Sequence, residues 1–145
     1  MRFHILFAIA LVCLLLPAAR GGCPAAVAES LLSADKAFAA DTEAPAVEGW
    51  VPHFAPDARL LGIGDEQIVG LEKVSAHYRM AFPNLSAMPK WMPLHADCSA
   101  DGTLGFTYGT WVSRTTPQAS GQYLTVWRKQ SDGSWKVLFD LGNKR

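Results

Sequence analysis

The final third of the chain constrains the fold most, because apolar and polar residues alternate there in four runs that turns separate. The runs are Trp91–Ser99, Thr103–Arg114, Gln122–Gln130 and Trp135–Leu141. Asp101-Gly102 follows the first run and Asp132-Gly133 follows the third, and Asp-Gly is a favoured pair in tight hairpin turns. Consecutive strands joined by tight turns pair antiparallel. The sequence therefore predicts a four-stranded antiparallel meander.

Three segments ahead of these strands have helical spacing, and a small hairpin over 59–69 precedes the third. The apolar faces predicted for the three helices are Val27, Leu31, Ala34 and Phe38; Val47, Trp50 and Phe54; and Leu71, Val74, Tyr78 and Phe82. Pro52 lies inside the second helix and must kink or shorten it. The prediction is an α+β domain in which three N-terminal helices pack on one face of an antiparallel sheet.

The N-terminus has the pattern of a secretory signal. A basic start is followed by an apolar run over 5–16 and by small residues over 17–22. This run is too short to span a bilayer, and the alternative is a buried helix. We predict a signal peptide at 1–22, with an uncertain cleavage site, and one domain at 23–145. The mature protein is then periplasmic or extracellular.

Cys23 and Cys98 would both remain in the exported domain. They could form a disulfide in an oxidising compartment. The alternative, which the sequence favours, is that Cys98 is a small buried strand residue and Cys23 is unpaired or modified. Cys23 also follows small residues as a lipidated cysteine would, although Arg20 stands where such signals usually have Leu.

The distribution of charge excludes some partners. The formal net charge is zero, and the basic residues are scattered. This argues against binding to nucleic acid or to an anionic membrane surface.

Three segments resemble one known group of proteins across nearly the whole exported domain. They are "GWVPHFAPDARLL" (49–61), "SADGTLGFTYGTW" (99–111) and "GQYLTVWRKQSDGSWKVLFDLGN" (121–143). The sequence resembles the nuclear transport factor 2-like superfamily, and within it the SnoaL-like domains of unknown function in secreted bacterial proteins. The resemblance implies a cone-shaped fold, with a strongly curved sheet around a pocket. It also implies that homodimers can form through the sheet.

The resemblance argues against ketosteroid isomerase activity. It places the catalytic base a few residues beyond an Ala-x-Asp-Ala step, which is Ala55-Pro56-Asp57-Ala58 here, and that position is Gly62. Glycine has no group that can accept a proton. The nearest acids, Asp65 and Glu66, fall in the predicted hairpin turn, where they are expected to be solvated.

Three other residues are weak catalytic candidates. His53 and Asp57 are four residues apart and could pair, so that Asp57 orients a general base. The alternative is that Asp57 only tethers the turn after the helix, since no nucleophile accompanies the pair. Asp140 lies among apolar residues and would have a raised pKa if it is buried unpaired, although Arg128 or Lys136 could pair with it.

Aromatic residues with a polar tip are the best candidates for ligand contacts, because a buried ring of this kind must find a hydrogen-bond partner. The predicted ligand-binding residues are Tyr78, Tyr108, Trp111, Tyr123, Trp127 and Asp140. We predict no metal and no cofactor, because His53, His77 and His95 lie on separate elements without further ligands at suitable spacing.

Alternation assigns faces to the strands. Gly105 and Gly109 share a face with Thr107 and Trp111, and we predict that this bare face is concave, with Phe106 on the convex side and Tyr108 free to turn either way. In the last strand, alternation places Asp140 on the opposite face from Trp135, Val137, Phe139 and Leu141.

The leading functional prediction is a secreted domain that binds a small hydrophobic or aromatic ligand in the cone cavity. One alternative is an acid–base lyase, isomerase or hydrolase that uses Asp140 with a tyrosine or His53. Another is a structural homodimer whose cavity is filled by its own side chains.

Overall fold

The computed structural model describes residues 21–43, 47–61 and 67–144, with Leu61 described by its backbone only. The three helices are α1 (Ala25–Asp41), α2 (Val47–Trp50) and α3 (Leu71–Ala81). The six strands are β1 (Phe54–Leu61), β2 (Gln67–Val69), β3 (Pro89–Cys98), β4 (Leu104–Ser113), β5 (Ser120–Lys129) and β6 (Trp135–Gly142). Nearly all of the predicted signal peptide lies outside the described residues. Within them, no helix has the length and apolarity needed to cross a membrane.

The six strands form one sheet in the order β2-β1-β6-β5-β4-β3. The predicted antiparallel meander of β3 to β6 is confirmed, and its Asp-Gly turns hold Gly102 and Gly133 at φ 67° and 85°. The prediction of a purely antiparallel sheet is wrong, because β1 pairs parallel with β6. After β2, at one edge of the sheet, the chain passes through α3 to β3 at the other edge. The meander then returns toward the first hairpin, so that β6 lies beside β1 and runs in the same direction.

The helices pack on the concave face of the curved sheet. Phe38 of α1 is at the centre of the core, with its ring centroid 5.1 Å from that of Trp50 and 5.0 Å from that of Trp91. The second helix is shorter than predicted. It ends at Trp50, a 3-10 turn containing Pro52 follows, and Phe54 is buried as the first residue of β1.

The glycine-rich face of β4 is concave, as predicted. A side chain on Gly105 would collide with Leu31 of α1, and one on Gly109 would collide with the Met92 carbonyl and the Tyr123 ring. Phe106 is half-buried on the convex side. The bare strand therefore lets α1 and the neighbouring rings approach the sheet closely.

A β-bulge at Leu138 changes the orientation of the end of β6. Val126 of β5 pairs with Phe139, whereas the next residue, Trp127, pairs with Val137. One extra residue therefore stands on β6, and the alternation reverses across it. The prediction that Asp140 faces away from Val137 is wrong for this reason, because both side chains lie on the concave face.

Cys23 and Cys98 form a disulfide, with Cα atoms 4.8 Å apart. The favoured prediction of an unpaired Cys23 is therefore wrong. Cys98 is the last residue of β3 and pairs with Gly105, against which Leu31 of α1 packs, so this end of the strand lies beside the helix. The Cys23 sulfur takes part in this bond and cannot also carry a lipid thioether.

Candidate functional site

A cavity of about 540 Å³ lies between the concave face of the sheet and the helices. Aromatic rings form a large part of its wall, and its polar side chains include Thr125 and Asp140. The aromatic lining residues are Phe38, Trp50, His77, Tyr78, Phe82, Trp91, Trp111 and Tyr123. The cavity is therefore formed by large rings around a small polar region.

Asp140 enters this cavity because of the bulge at Leu138. Tyr78 donates its hydroxyl to Oδ2 of Asp140 at 2.9 Å, and Thr125 donates to Oδ1 at 2.8 Å. Burial raises the pKa of Asp140, and these two hydrogen bonds oppose the rise. Asp140 is thus a partly buried carboxyl with a hydrogen-bond donor on each oxygen.

The predicted cationic partners of Asp140 bind elsewhere. Arg128 forms a two-pronged ion pair with Asp57, and the Lys136 ammonium donates to the Pro52 carbonyl at 2.6 Å. The tyrosine and threonine hydroxyls take the place of a counter-charge. The direction of the Asp140 pKa shift agrees with the expectation for an acid that has no cationic partner.

A second acid, Asp35 of α1, was not among the residues predicted from the sequence. It is fully buried, and it accepts hydrogen bonds from the Tyr123 hydroxyl at 2.7 Å and from Trp91 Nε1 at 2.8 Å. Burial raises its pKa, and the hydrogen bonds oppose the rise. The signal was available, because Asp35 is four residues after Leu31 and three before Phe38, on the apolar face of the helix.

The two acids act on each other and on the tyrosines. The charge of Asp35 raises the pKa of Asp140 further, after burial. Burial and then the nearby carboxylates raise the pKa of both Tyr78 and Tyr123. Both phenols therefore stay protonated at neutral pH and keep donating to the acids.

Trp111 and Tyr123 lie where the sequence predicted, in the cavity wall. Trp111 Nε1 donates to the Asn143 carbonyl at 2.9 Å, so this indole is fixed to the end of the sheet. Tyr78 and Asp140 also line the cavity. Four of the six predicted ligand-binding residues thus surround one space.

The other two predicted ligand-binding residues lie outside the cavity lining. Tyr108 is 42% exposed and lies against His95. Alternation along β4 places it on the convex face, whereas its neighbour Gly109 lies on the concave face. Trp127 is fully buried beneath the cavity and donates Nε1 to the Thr107 hydroxyl at 2.8 Å. Its polar tip is satisfied inside the core, where no ligand is needed.

His53 and Asp57 do not pair. His53 Nε2 contacts Asp41 Oδ2 at 2.9 Å, and its ring stacks on Phe38. The predicted pairing assumed a helix, but the chain is extended from Phe54 onward, which separates residues four apart by roughly 13 Å. Neither residue lines the cavity, so neither is supported as a catalytic group.

Two further features bear on the chemistry of the site. Gly62, at the position of the isomerase base, lies outside the described residues, as do Asp65 and Glu66. Among the residues that are described, no three His, Cys, Asp or Glu side chains form a cluster that could hold a metal ion. The absence of a metal and of a cofactor stays a prediction.

No family model and no curated protein matches the chain, whereas several solved structures do. A ketosteroid isomerase-like protein from Erwinia carotovora atroseptica SCRI1043 has 17% identity over 80% of this chain and 94% of its own, with a TM-score of 0.62. An NTF2-like protein of unknown function from Pseudomonas putida KT2440 has 14% identity over 84% and 89%, with a TM-score of 0.68.

A third similar structure holds a ligand. It is a protein from Catenulispora acidiphila in complex with S-DNPA, with 12% identity over 83% of this chain and 95% of its own, and a TM-score of 0.65. At such identities the likeness establishes the fold. The protein thus has the cone-shaped nuclear transport factor 2-like fold, as the sequence resemblance implied.

Proposed function

We propose that this domain is exported and binds a small hydrophobic or aromatic molecule in the cavity between the helices and the concave sheet. The observation that carries the proposal is the cavity of about 540 Å³, with walls of aromatic rings and a few polar groups at Thr125 and Asp140. Cavities of this size and composition are typical of sites for small organic ligands. The ligand complex of the Catenulispora protein, which has the same fold, supports this assignment.

Two features support export. The first 22 residues have the pattern of a signal peptide, and the described domain contains the Cys23–Cys98 disulfide. Disulfides persist in oxidising compartments and are rare in the cytosol. The proposed location is therefore the periplasm or the extracellular space.

The test is native mass spectrometry of protein purified from the periplasm with its own signal. We expect a retained small molecule that is released on denaturation. Ala87→Trp, at a lining position, should reduce retention because the indole occupies the cavity mouth, whereas Ser86→Trp, on the same turn outside the lining, should not. Absence of a retained molecule, together with no binding of any aromatic probe, would contradict the proposal.

Acid–base catalysis is the second candidate function, and the contact between Tyr78 and Asp140 inside the cavity favours it. A partly buried carboxyl with a raised pKa holds a proton more readily than an exposed one, and groups of this kind serve as acids and bases in enzymes. Simple binding is favoured because both oxygens of Asp140 already accept hydrogen bonds. If the retained molecule is converted by the wild type and not by Asp140→Asn, as followed by chromatography and mass spectrometry, the catalytic function is correct.

The convex face of the sheet is proposed to bind a second copy of the chain. Large apolar side chains are exposed across four neighbouring strands of this face. They include Met92, Leu104, Tyr108, Val112, Leu124 and Leu141. A large exposed apolar face is unusual on a monomer. Because the formal net charge of the chain is zero, two copies do not repel each other through their overall charge.

A further inference from the structure

Two carboxyl groups lie at the cavity without a cationic partner among the described residues. Asp140 lines the cavity, and Asp35 lies behind its wall, because both side chains that donate to Asp35, Trp91 and Tyr123, are lining residues. Neither acid forms a salt bridge with a residue that the structure describes. His53 acts on Asp35, but burial lowers the pKa of His53, so this ring is mainly neutral at neutral pH. An ionised Asp140 therefore receives no counter-charge from these residues.

The hydroxyl protons at Asp140 are already in use. Tyr78 donates to one carboxyl oxygen and Thr125 donates to the other. Each carboxylate oxygen has a second lone pair, and each hydroxyl oxygen can still accept while it donates. A ligand group at this place therefore meets hydrogen-bond acceptors, and it must bring the donors itself.

Aromatic rings lie beside the same carboxyl. Tyr78, which donates to Asp140, has its ring centroid 4.8 Å from that of Trp50 and 5.8 Å from that of Phe82, and all three rings line the cavity. The face of an aromatic ring carries partial negative charge and attracts a cation within about 6 Å of its centroid. The carboxyl and the rings thus favour the same kind of ligand group, which is a cation with hydrogen-bond donors.

Taking the proposed binding function as given, we propose that the ligand is a hydrophobic or aromatic amine that binds as an ammonium ion, with its charged nitrogen at Asp140. The nitrogen donates to the free lone pairs of the carboxylate, and the hydrophobic body packs on the aromatic wall. A buried charge is tolerated when it is paired and hydrogen-bonded. In this complex the ammonium ion and Asp140 are each other's partner, and the ion replaces the proton that burial favours on the empty acid.

The same charges disfavour an anionic ligand. The charge of Asp35 already acts on Asp140 and raises its pKa, so a third negative group would be repelled by both acids. Among the described lining residues only Lys144 has a permanent positive charge, and it is exposed to solvent, which screens it. A carboxylate beside Asp140 would gain no buried counter-charge, and its desolvation would oppose binding.

Three naphthalene probes of matched size and different charge test the inference by calorimetry at neutral pH. They are 2-naphthylmethylamine, which is a cation at this pH, 2-naphthylmethanol, which is neutral, and 2-naphthoate, which is an anion. We expect the amine to bind at least about tenfold more tightly than the alcohol, and the carboxylate to bind most weakly. If the alcohol or the carboxylate binds as tightly as the amine, the inference is wrong and the proposed function stands. Failure of every probe to bind would contradict both.

A matched pair of variants tests whether Asp140 is the group that recognises the charge. Asp140→Asn keeps the size of the side chain and removes its charge, so it should weaken amine binding at least about tenfold and leave alcohol binding within about threefold. Asp57→Asn is the control, because it removes one negative charge from an exposed ion pair with Arg128 outside the cavity, and it should leave both affinities within about twofold.

Binding of the neutral alcohol also reports whether each variant keeps an intact cavity. If Asp140→Asn binds the alcohol and still prefers the amine as strongly as the wild type does, Asp140 does not recognise the cation and the inference is overturned. Equal losses of amine affinity in Asp140→Asn and Asp57→Asn would overturn it as well, because the attraction would then come from the overall charge of the protein.

Discussion

The hydroxyl of Tyr123 on β5 donates a 2.7 Å hydrogen bond to Asp35 on α1, so a single contact joins the sheet to the helix across the cavity wall. Trp91 of β3 donates to the other oxygen of the same carboxyl. Asp35 therefore connects two strands to α1 from a fully buried position.

Removing this carboxyl should destabilise the domain strongly. Asp35→Ala leaves the Tyr123 hydroxyl and the Trp91 N–H buried without an acceptor, and we expect a loss of about 3 kcal/mol in the free energy of unfolding. Asp41→Ala, on the exposed end of the same helix, is the control and should lose less than about 1 kcal/mol. Urea denaturation monitored by tryptophan fluorescence gives both values. Similar losses in the two variants would show that Asp35 does not anchor the helix.

The ionisation of Asp140 should make the free energy of unfolding depend on pH, and the direction of its pKa shift gives the sign of that dependence. Burial raises its pKa in the folded protein, so the folded state takes up the proton more readily than the unfolded state. Its contribution to stability is fully present below the unfolded pKa, near 3.8, and is lost as the pH rises through the folded pKa. Relative to Asp140→Asn, the wild type should therefore lose stability as the pH rises from 4 toward neutrality, as measured by urea denaturation at each pH. A difference that stays constant or changes in the opposite direction would contradict the assignment.

The disulfide should stabilise the domain by restricting the unfolded chain. It joins residues 75 positions apart, and chain-entropy arguments give about 4 kcal/mol for a loop of that length. The double variant Cys23→Ser with Cys98→Ser should lose a comparable amount in urea denaturation. The wild type in reducing agent should match the double variant. If reduction has no effect on the wild type, the disulfide does not form in solution.

The convex face should control the oligomeric state. We expect the wild type to sediment as a dimer at micromolar concentration, and Leu124→Lys to sediment as a monomer, because it places a charge in the apolar face. Met80→Lys is a matched control, since Met80 is 78% exposed on α3, away from the sheet. A wild type that remains monomeric at high concentration would disprove the dimer.

The local features of the fold could be predicted from the sequence, because hairpin turns and helical faces depend on neighbouring residues. The parallel pairing of β1 with β6 could not, since it joins residues about 80 positions apart and depends on the path of the chain between them. The prediction for Phe54 failed for a related reason. It is buried as predicted, but it lies in a strand, and burial alone does not distinguish a helix from a strand over so short a segment.

The site was predictable only in part. Tyr78, Trp111, Tyr123 and Asp140 line the cavity as predicted. Tyr108 lies on the convex face, because alternation along β4 places it on the side away from Gly105 and Gly109. Asp35 could have been predicted, because it lies between Leu31 and Phe38 on the apolar face of α1.

The extra residue at Leu138 determines which chemistry the cavity contains. If Leu138 were paired in a regular ladder instead of standing in a bulge, every later residue of β6 would change face, so that Asp140 would point to the convex surface and its neighbour Leu141 would turn into the cavity. The part of the cavity around Asp140 would then become apolar, although no residue that lines it had been substituted. For proteins of this shape, the presence or absence of a bulge in the last strand can therefore change which side chains face the cavity without any substitution among the residues that line it.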